Sequence, residues 1–261
     1  MTITRHEIRR GKTSFLIWTG AIAFLMATCI FLWPEMKSQM DGIGSLFSSM
    51  GSFTAAFGMD KLNFGTLTGY YAVECGNVLG LGGAFFAALL AVAMLAKEEK
   101  ERTAEFLLTH PVSRVRIVSE KLLAVFLQVT ALNIVIFLVS IGSIAAVGEA
   151  VPWKEVCLLH LAYWLMQLVI SGICFGVSAF ISGSSAGVGI GIAAGLYFMN
   201  LIANITDSVS FLNTITPFGF CAGADIVSKG TLDGTGIAVG FALCALGILA
   251  AYLWYPRKDI H

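Results

Sequence analysis

The segment VRIVSEKLLAVFLQVTALNIVIFLVSIGSIAAV, Val115–Val147, decides the class of fold. From Leu122 onward it contains no charged residue, and this part alone exceeds the roughly 20 apolar residues that an α-helix needs to cross a bilayer. Its opening turns carry Glu120 and Lys121, so we expect them to extend beyond the hydrocarbon into water. The segment therefore predicts a long transmembrane helix whose N-terminal end projects from the membrane.

Five further segments share this length and polarity. The six predicted spans are Thr13–Trp33, Tyr70–Ala96, Val115–Val147, Trp153–Ile181, Ser185–Ala203 and Leu232–Tyr255. Of the 261 residues, 57% are hydrophobic and 12% are charged, about half the roughly 25% of a soluble domain. The net charge of +0 leaves no basic excess for binding nucleic acid. Residues 1–261 are therefore predicted to form one all-α polytopic membrane domain in contact with the lipid bilayer.

The basic residues predict the orientation of the spans. Most of the 16 lie before span one, between spans two and three, or after span six. These residues are Arg5, Arg9, Arg10, Lys12, Lys97, Lys100, Arg102, Arg114, Arg116, Lys121, Arg257 and Lys258. Because cytoplasmic segments carry the excess of Lys and Arg, we predict that both termini are cytoplasmic. This side is called the inner side below, and the opposite side the outer side.

Two segments outside the spans have a predicted form. Residues 1–12 are predicted to form an interfacial helix, with Thr4 and Glu7 as a capping box and nearby arginines reaching lipid phosphates; the alternative is a frayed basic stop signal. The outer segment Ile205–Gly230 is interrupted by Pro217 and several glycines, yet it is rich in phenylalanine. Such apolar content predicts a re-entrant helical hairpin packed against protein before the last span.

Small residues recur at a spacing of four on two spans. They are Gly183, Gly187, Gly191 and Gly195 on span five, and Gly76 and Gly80 on span two. This spacing places them on one helix face, where another backbone can approach closely. The face serves either helix packing inside the chain or a subunit interface beside a transport pathway.

The loop between spans two and three, EEKERTAEFLLTHPVSR at Glu98–Arg114, carries most information about function. Helix-forming residues predict a short helix over residues 97–111 that stops at Pro111. Three large apolar residues, Phe106-Leu107-Leu108, follow directly on Glu105. They either dock into a partner protein or sink into the lipid surface.

This loop resembles that of the permease subunits of ATP-binding-cassette (ABC) exporters of the type-two transmembrane family. The match is carried by Thr103, Glu105, Leu107, Leu108, Pro111, Val112, Ser113, Arg114 and Lys121. A second, weaker similarity is TPFGF followed by ADIVSKG, within Thr216–Gly230.

The resemblance implies a permease in the plasma membrane that pairs with a second permease, identical or related. It also implies two cytosolic ATPase subunits that bind ATP and Mg, and identifies residues 97–111 as the coupling helix that contacts them. The implied ATPase-docking residues are Glu98, Glu101, Thr103, Glu105, Phe106, Leu107 and Leu108, with Pro111, Ser113 and Arg114 setting the angle of the helix. Spans two and five line the central seam in this family, which favours the interface interpretation of the glycine faces.

No catalytic or metal site is predicted in this chain. Gly11-Lys12-Thr13 is similar to the end of a phosphate loop, but the motif also requires a glycine five residues before Gly11, and that position is His6. The six cysteines show no metal-ligand spacing. ATP hydrolysis is therefore expected in a partner chain, and no cofactor in this one.

The predicted function is that of a permease subunit of an ATP-driven exporter, with an amphiphilic or apolar cargo such as a peptide, a drug or a lipid-like molecule. The alternative is an ion-coupled secondary transporter that acts without an ATPase. Such a carrier places ionisable residues near the midplane. The candidates are Glu74 and the neutral residues Gln128, Asn133, Gln167 and Asn200. Each of these is more often an interhelical hydrogen-bond partner than a substrate ligand.

Overall fold

The computed structural model describes residues 2–39, 54, 62–97, 112–182 and 185–258. In chain order, the helices are α1 (Thr2–Ser38), α2 (Leu67–Cys75), a π-helix (Gly76–Leu81), α3 (Gly82–Ala93), α4 (Arg114–Ala146), α5 (Trp153–Ser178), α6 (Ala186–Ile205), α7 (Leu212–Ile215), α8 (Gly223–Lys229) and α9 (Gly234–Trp254). Short 3₁₀ turns lie at Asp207–Val209, Gly219–Cys221 and Tyr255–Arg257.

Six of these elements are long and apolar enough to cross a membrane. They are α1, the continuous run Leu67–Ala93, α4, α5, α6 and the last helix with its 3₁₀ extension, Gly234–Arg257. The six predicted spans are therefore confirmed in number, order and helical character.

The structure corrects the prediction of a separate interfacial helix at residues 1–12, because α1 is continuous from Thr2 to Ser38. A single glycine, Gly11, costs a helix only about 1 kcal/mol, too little to end it. The first amides of α1 are capped from another helix: Glu120 Oε2 accepts hydrogen bonds from the backbone N–H of Ile3 (2.9 Å) and Thr4 (3.2 Å).

Helix α5 forms the centre of the bundle. Its most extensive contacts are with α9 and with α3, while α1 packs chiefly on α4 and α6 chiefly on α3. Most of the apolar stretch of α5 is buried, whereas less than a quarter of the apolar stretches of α1, α6 and α9 is buried. These three outer helices therefore present the apolar surface that lipid or another subunit covers.

Glycines bring the backbones of α5 and α9 into direct contact. A Cβ at Gly247 of α9 would lie 2.6 Å from the carbonyl oxygen of Gly172. A Cβ at Gly176 of α5 would overlap the backbone of Gly247. The absence of side chains at these positions allows the close helix approach that is common inside membrane proteins.

The two ends of the described chain meet at the same end of the bundle. Near the start, Thr4 Oγ1 donates to the carbonyl of Glu120 (3.0 Å). Near the finish, Arg114 Nη1 donates to the carbonyl of Lys258 (2.6 Å). Both contacts involve the N-terminal turns of α4. Six crossings return the chain to the side on which it started, so the two ends lie together as expected. That this end is cytoplasmic stays a prediction.

At the opposite end of the bundle, polar contacts join α1 to the connection between α4 and α5. Glu149, in the α4–α5 connection, accepts hydrogen bonds from Lys37 Nζ (2.9 Å) and Trp33 Nε1 (3.0 Å) of α1. The Lys37 ammonium, followed by the Trp33 N–H, lowers the pKa of Glu149 because both stabilise the ionised carboxylate. These hydrogen bonds hold the outer end of α1 against the α4–α5 connection.

The segment between α6 and α9 folds back along the bundle. The carbonyl of Cys221 accepts a hydrogen bond from Tyr163 Oη (3.1 Å), and Thr216 Oγ1 donates to the carbonyl of Leu196 (2.8 Å). At 1.5 Å per residue, both contacts lie roughly 14–15 Å from the outer ends of α5 and α6. Phe220 is buried there. The path has the shape of a re-entrant hairpin, although short helical turns build it, and its depth in a bilayer stays a prediction.

The replacement Gly176→Ala tests the contact between α5 and α9. The new methyl group meets backbone atoms, which cannot rotate away, so we expect unfolding free energy in detergent to fall by about 1–3 kcal/mol. Gly142→Ala on α4 is the control, because a Cβ there meets no described atom within 4 Å. Equal stability of the two variants in denaturant titration would contradict the backbone contact.

Candidate functional site

A buried ionic cluster joins three helices at the inner end. Lys121 of α4 is fully buried, and its ammonium donates to the carbonyl of Met94 (2.5 Å) and lies 3.4 Å from Glu7 Oε1. The other oxygen of Glu7 is paired with Lys97, which follows α3. A buried charge that loses its partner is strongly destabilising, so this arrangement holds α1, α4 and the end of α3 together.

A second pair lies next to this cluster. Glu120, which caps α1, also accepts from Arg116 Nε (2.9 Å) one turn earlier on α4. Ser113 caps α4 by accepting from the backbone N–H of Arg116 (3.3 Å). The residues on the two sides of the loop therefore both have partners within the bundle. Lys97, before the loop, is paired with Glu7, and Ser113, after it, caps α4.

Most predicted docking residues lie outside the described part of the chain, together with nearly all of the predicted coupling helix at 97–111. They are Glu98, Glu101, Thr103, Glu105, Phe106, Leu107, Leu108 and Pro111.

Two predicted docking residues are described, and both bond within the chain. Ser113 is the cap of α4. Arg114 donates to the carbonyls of Tyr255 (3.5 Å), Pro256 (3.3 Å) and Lys258 (2.6 Å). Arg114 thus ties the beginning of α4 to the end of the last span.

The sequence interpretation missed the role of Glu7, which it assigned to a capping box. A signal was available: Glu120 and Lys121 stand at the start of a strongly apolar helix, where ionisable groups need partners. The identity of those partners depends on which helices pack together. Which helices pack together could not be predicted from the sequence.

Span two contains a π-helix against which an aromatic ring of α5 rests. A Cβ at Gly76 would lie 2.8 Å from Tyr163 Oη, and one at Gly80 would lie 2.9 Å from Tyr163 Cε1. The predicted seam residues Gly76 and Gly80 therefore provide room for a side chain of the same chain.

Hydrogen bonds also join the π-helix to α4 and α5. Gln167 Nε2 donates to the carbonyl of Leu79 (3.2 Å), and Gln167 Oε1 accepts from Asn133 Nδ2 (2.7 Å). A π-helix shifts the backbone hydrogen-bond pattern, and a side-chain donor here satisfies one of its carbonyls. Asn133 and Gln167 thus form an interhelical hydrogen bond, as predicted in preference to a role as substrate ligands.

A narrow cleft of about 80 Å³ lies beside the π-helix, between span two, α6 and the Gly219–Cys221 turn. Polar contributions come from Asn77, Tyr163, Tyr197, Asn200 and Asn204. The described residues that line it carry no charge. Asn200 and Asn204 both bond to the Asn213 side chain, at 2.9 and 3.1 Å.

The glycines of α6 do not share one environment. A Cβ at Gly187, Gly191 or Gly195 would meet no described atom within 4 Å. At Gly189, by contrast, a Cβ would lie 3.1 Å from the carbonyl oxygen of Ala88 on α3. The predicted seam face therefore points away from α3 and contacts none of the described residues; Gly183 lies outside the described part of the chain.

The described residues offer no group of three metal-ligating side chains. His160, a residue of α5, is bonded through Nε2 to Tyr71 Oη (2.6 Å). Gly11-Lys12-Thr13 lies within α1 and forms no loop.

These features define a class: a six-span, all-helical membrane domain with a charged inner loop anchored to a buried ionic cluster. The chain belongs to the family described as ABC-2 family transporter protein, which matches residues 1–260. The resemblance to type-two ABC permeases is therefore confirmed. No curated protein matches the chain. The protein is a multi-pass membrane subunit of a transporter.

The buried cluster is tested by a double-mutant cycle between Glu7 and Lys121. Glu7→Gln removes the carboxylate that lies between two lysines, so we expect a loss of about 3 kcal/mol in unfolding free energy. The double variant Glu7→Gln/Lys121→Met should lose less than the sum of its two single changes, because it no longer leaves a buried cation without its anion.

Glu35→Gln is the control, because Glu35 is an exposed carboxylate on the same helix. Chemical denaturation in detergent measures all four variants. Additive effects of Glu7→Gln and Lys121→Met would show that the two charges do not interact.

Proposed function

We propose that this chain is the permease subunit of an ATP-driven ABC exporter in the plasma membrane. It forms the pathway for an amphiphilic or apolar cargo together with a second permease. Separate ATPase subunits, which bind ATP and Mg, supply the energy. The observation that carries this proposal is that the helices on both sides of residues 98–111 meet in the ionic cluster, through Lys97 before these residues and Lys121 of α4 after them, in a chain of the ABC-2 family.

The cluster is suited to transmit movement from a partner. A displacement of the loop reaches Lys97 at one end and the first turns of α4 at the other. Glu7 contacts both Lys97 and Lys121, so α1, α3 and α4 respond together. Charge interactions of this kind are strong where water is excluded.

A movement of α3 can be transmitted to the cleft beside the π-helix. Helix α3 continues directly from the π-helix, and it contacts α6 through Ala88 and Gly189. The cleft of about 80 Å³ is smaller than the roughly 300 Å³ at which drug-sized pockets begin. A cargo therefore needs the cleft to widen, and the π-helix is an irregular element at the place where span two would adjust.

The chemistry of the cleft supports the proposed cargo class. Tyrosine and asparagine side chains stand among apolar ones, such as Phe218 and Leu201, and no charged residue lines the described wall. Such a surface suits an amphiphilic molecule without a strong net charge. The open glycine face of α6 is the proposed contact with the second permease, since small residues allow close helix approach.

Replacing Glu105 and Leu107 with alanine tests the docking of the coupling helix. We expect the amount of ATPase subunit that co-purifies with the double variant to fall about tenfold or more. The variant loses one apolar anchor and one charge, and this should weaken the binding free energy by more than about 1.4 kcal/mol. Densitometry of the complex purified in detergent, with its ATPase activity, measures the effect. Glu99→Ala is the matched control, a carboxylate of the same loop outside the predicted contacts. Undiminished ATPase retention in the double variant would contradict the coupling role.

A pair of leucine replacements on α6 tests the seam. Gly191→Leu adds a side chain to the open face, so the isolated chain should keep its stability within about 0.5 kcal/mol while permease pairing and transport are lost. Gly189→Leu adds the same side chain against α3 and should lower stability by about 1–3 kcal/mol. Thermal unfolding and cross-linking of the purified complex separate the two effects. Intact pairing and transport in Gly191→Leu would place the seam elsewhere.

A further inference from the structure

A recess of about 270 Å³ lies between α4 and α5, apart from the cleft beside the π-helix and from the ionic cluster. The residues that line this recess, called the α4–α5 groove below, are Thr130, Asn133, Ile134, Phe137, His160, Leu161 and Trp164. Ile134 is 55% exposed and Leu161 is 41% exposed, so the groove opens on the apolar periphery of the bundle. None of the residues that line it is charged.

Contacts between the two helices bound the groove at both ends. At its inner end, Trp164 Nε1 donates a hydrogen bond to Thr130 Oγ1 (3.1 Å). At its outer end, the rings of Phe137 and His160 meet edge to face, with centroids 5.1 Å apart. Thr130 and Phe137 are roughly 10 Å apart along α4, whereas a transmembrane helix needs a groove of about 30 Å. The groove therefore has the dimensions of a small molecule, since an apolar cavity of about 150 Å³ already holds benzene.

Asn133 brings an unused hydrogen-bond acceptor to this groove. Its Nδ2 donates to the carbonyl of Val129 (2.9 Å) and to Gln167 Oε1 (2.7 Å). The orientation of the Gln167 amide is fixed, because its nitrogen donates to the carbonyl of Leu79, which can only accept. Both amide hydrogens of Asn133 are therefore used, and its buried Oδ1 has no partner in the described part of the chain.

His160 brings a second buried atom of this kind. Its Nε2 is bonded to Tyr71 Oη (2.6 Å), and its Nδ1 has no partner among the described residues. Nδ1 is a donor when Tyr71 donates to Nε2, and an acceptor when Nε2 donates to Tyr71. A hydroxyl group both donates and accepts, so it can pair with either form. Buried polar atoms without a partner are costly, and a ligand that bonds to them removes this cost.

These features restrict the chemistry of a ligand. Asn133 Oδ1 can only accept, so it disfavours anions and molecules whose polar atoms are all acceptors, such as ethers and ketones. An ion would find no counter-charge in the described wall. Asn133 is roughly 20 Å from the outer end of α4, which is deeper than a phospholipid head group lies. A small, mostly apolar molecule with a hydroxyl group meets all three conditions.

We propose that the α4–α5 groove binds a small alcohol or phenol that is dissolved in the membrane. The hydroxyl group donates to Asn133 Oδ1, and the apolar body packs against Ile134, Leu161 and Trp164. Binding here is a property of this chain by itself, so the site does not depend on the proposed cargo or on the ATPase partner.

A ligand in this groove is linked to span two by existing hydrogen bonds. Asn133 is bonded to Gln167, which donates to the carbonyl of Leu79 in the π-helix. His160 is bonded to Tyr71, in the helix that precedes the π-helix. Both polar side chains of the groove therefore connect to the irregular part of span two.

Binding of β-naphthol to the purified full chain in detergent tests the site. Tritiated β-naphthol is measured by scintillation proximity, with excess unlabelled β-naphthol to define non-specific partitioning, and its methyl ether is the matched competitor without a donor. We expect saturable binding at a single site. The ether should compete at least about fivefold more weakly, the factor that one net hydrogen bond supplies.

Two tryptophan replacements locate the site. Ile134→Trp fills the groove from its exposed rim, so the variant should fold as the parent does and lose saturable binding. Leu138→Trp is the control, because Leu138 lies one turn further along α4, is 62% exposed and does not line the groove. Asn133→Leu should abolish the preference for β-naphthol over its ether. If this variant does not fold, the comparison of the two ligands on the unaltered chain still decides the role of the donor.

Four results would overturn the proposal. Absence of saturable binding indicates that only lipid chains or water enter the groove. Equal affinity for β-naphthol and its ether removes the role of Asn133. Undiminished binding in Ile134→Trp, or equal loss in Leu138→Trp, places the site elsewhere. Loss of permease pairing in Ile134→Trp on size-exclusion chromatography, with β-naphthol binding intact, indicates that this face contacts a second copy of the chain.

Discussion

The buried ammonium of Lys121 constrains the whole inner end of this protein. It is fully enclosed at the start of a helix that otherwise suits lipid, where an unpaired charge is very costly. Glu7 provides the compensating carboxylate, and it can do so only if α1 extends past the membrane-spanning apolar run and packs on α4. The end of α3 joins through Lys97, so the charged loop stands on three helices at once.

The contacts of α5, span two and α6 differ in how closely the helices pack. Where α5 meets α9, glycine backbones touch and leave no room for change. Where span two passes Tyr163, the backbone widens into a π-helix beside a small neutral cleft. On α6, Gly189 packs inward while the stripe through Gly191 remains open.

The class of protein followed from local features of the sequence, while several roles did not. Apolar length predicted the six spans, and the loop motif around Glu105 and Pro111 predicted the family. The glycine spacing on span two is compatible with internal packing or with a seam, and Gly76 and Gly80 make room for Tyr163 of the same chain. Asn133 and Gln167 were predicted to form interhelical hydrogen bonds in preference to binding substrate, and they bond to each other. In both cases the residue that each side chain or glycine faces could be identified only from the packed structure.

By itself, the sequence determined the helical class, the number and order of the spans, and the concentration of basic residues in the inner loop. These are local properties, because a backbone in hydrocarbon must satisfy its hydrogen bonds within each helix. The tertiary structure alone decided that α1 is continuous, that Glu7 pairs with Lys121, and which glycines of α6 face outward. Such features depend on the relative rotation of helices far apart in the chain, and this rotation is set only when all their faces pack together.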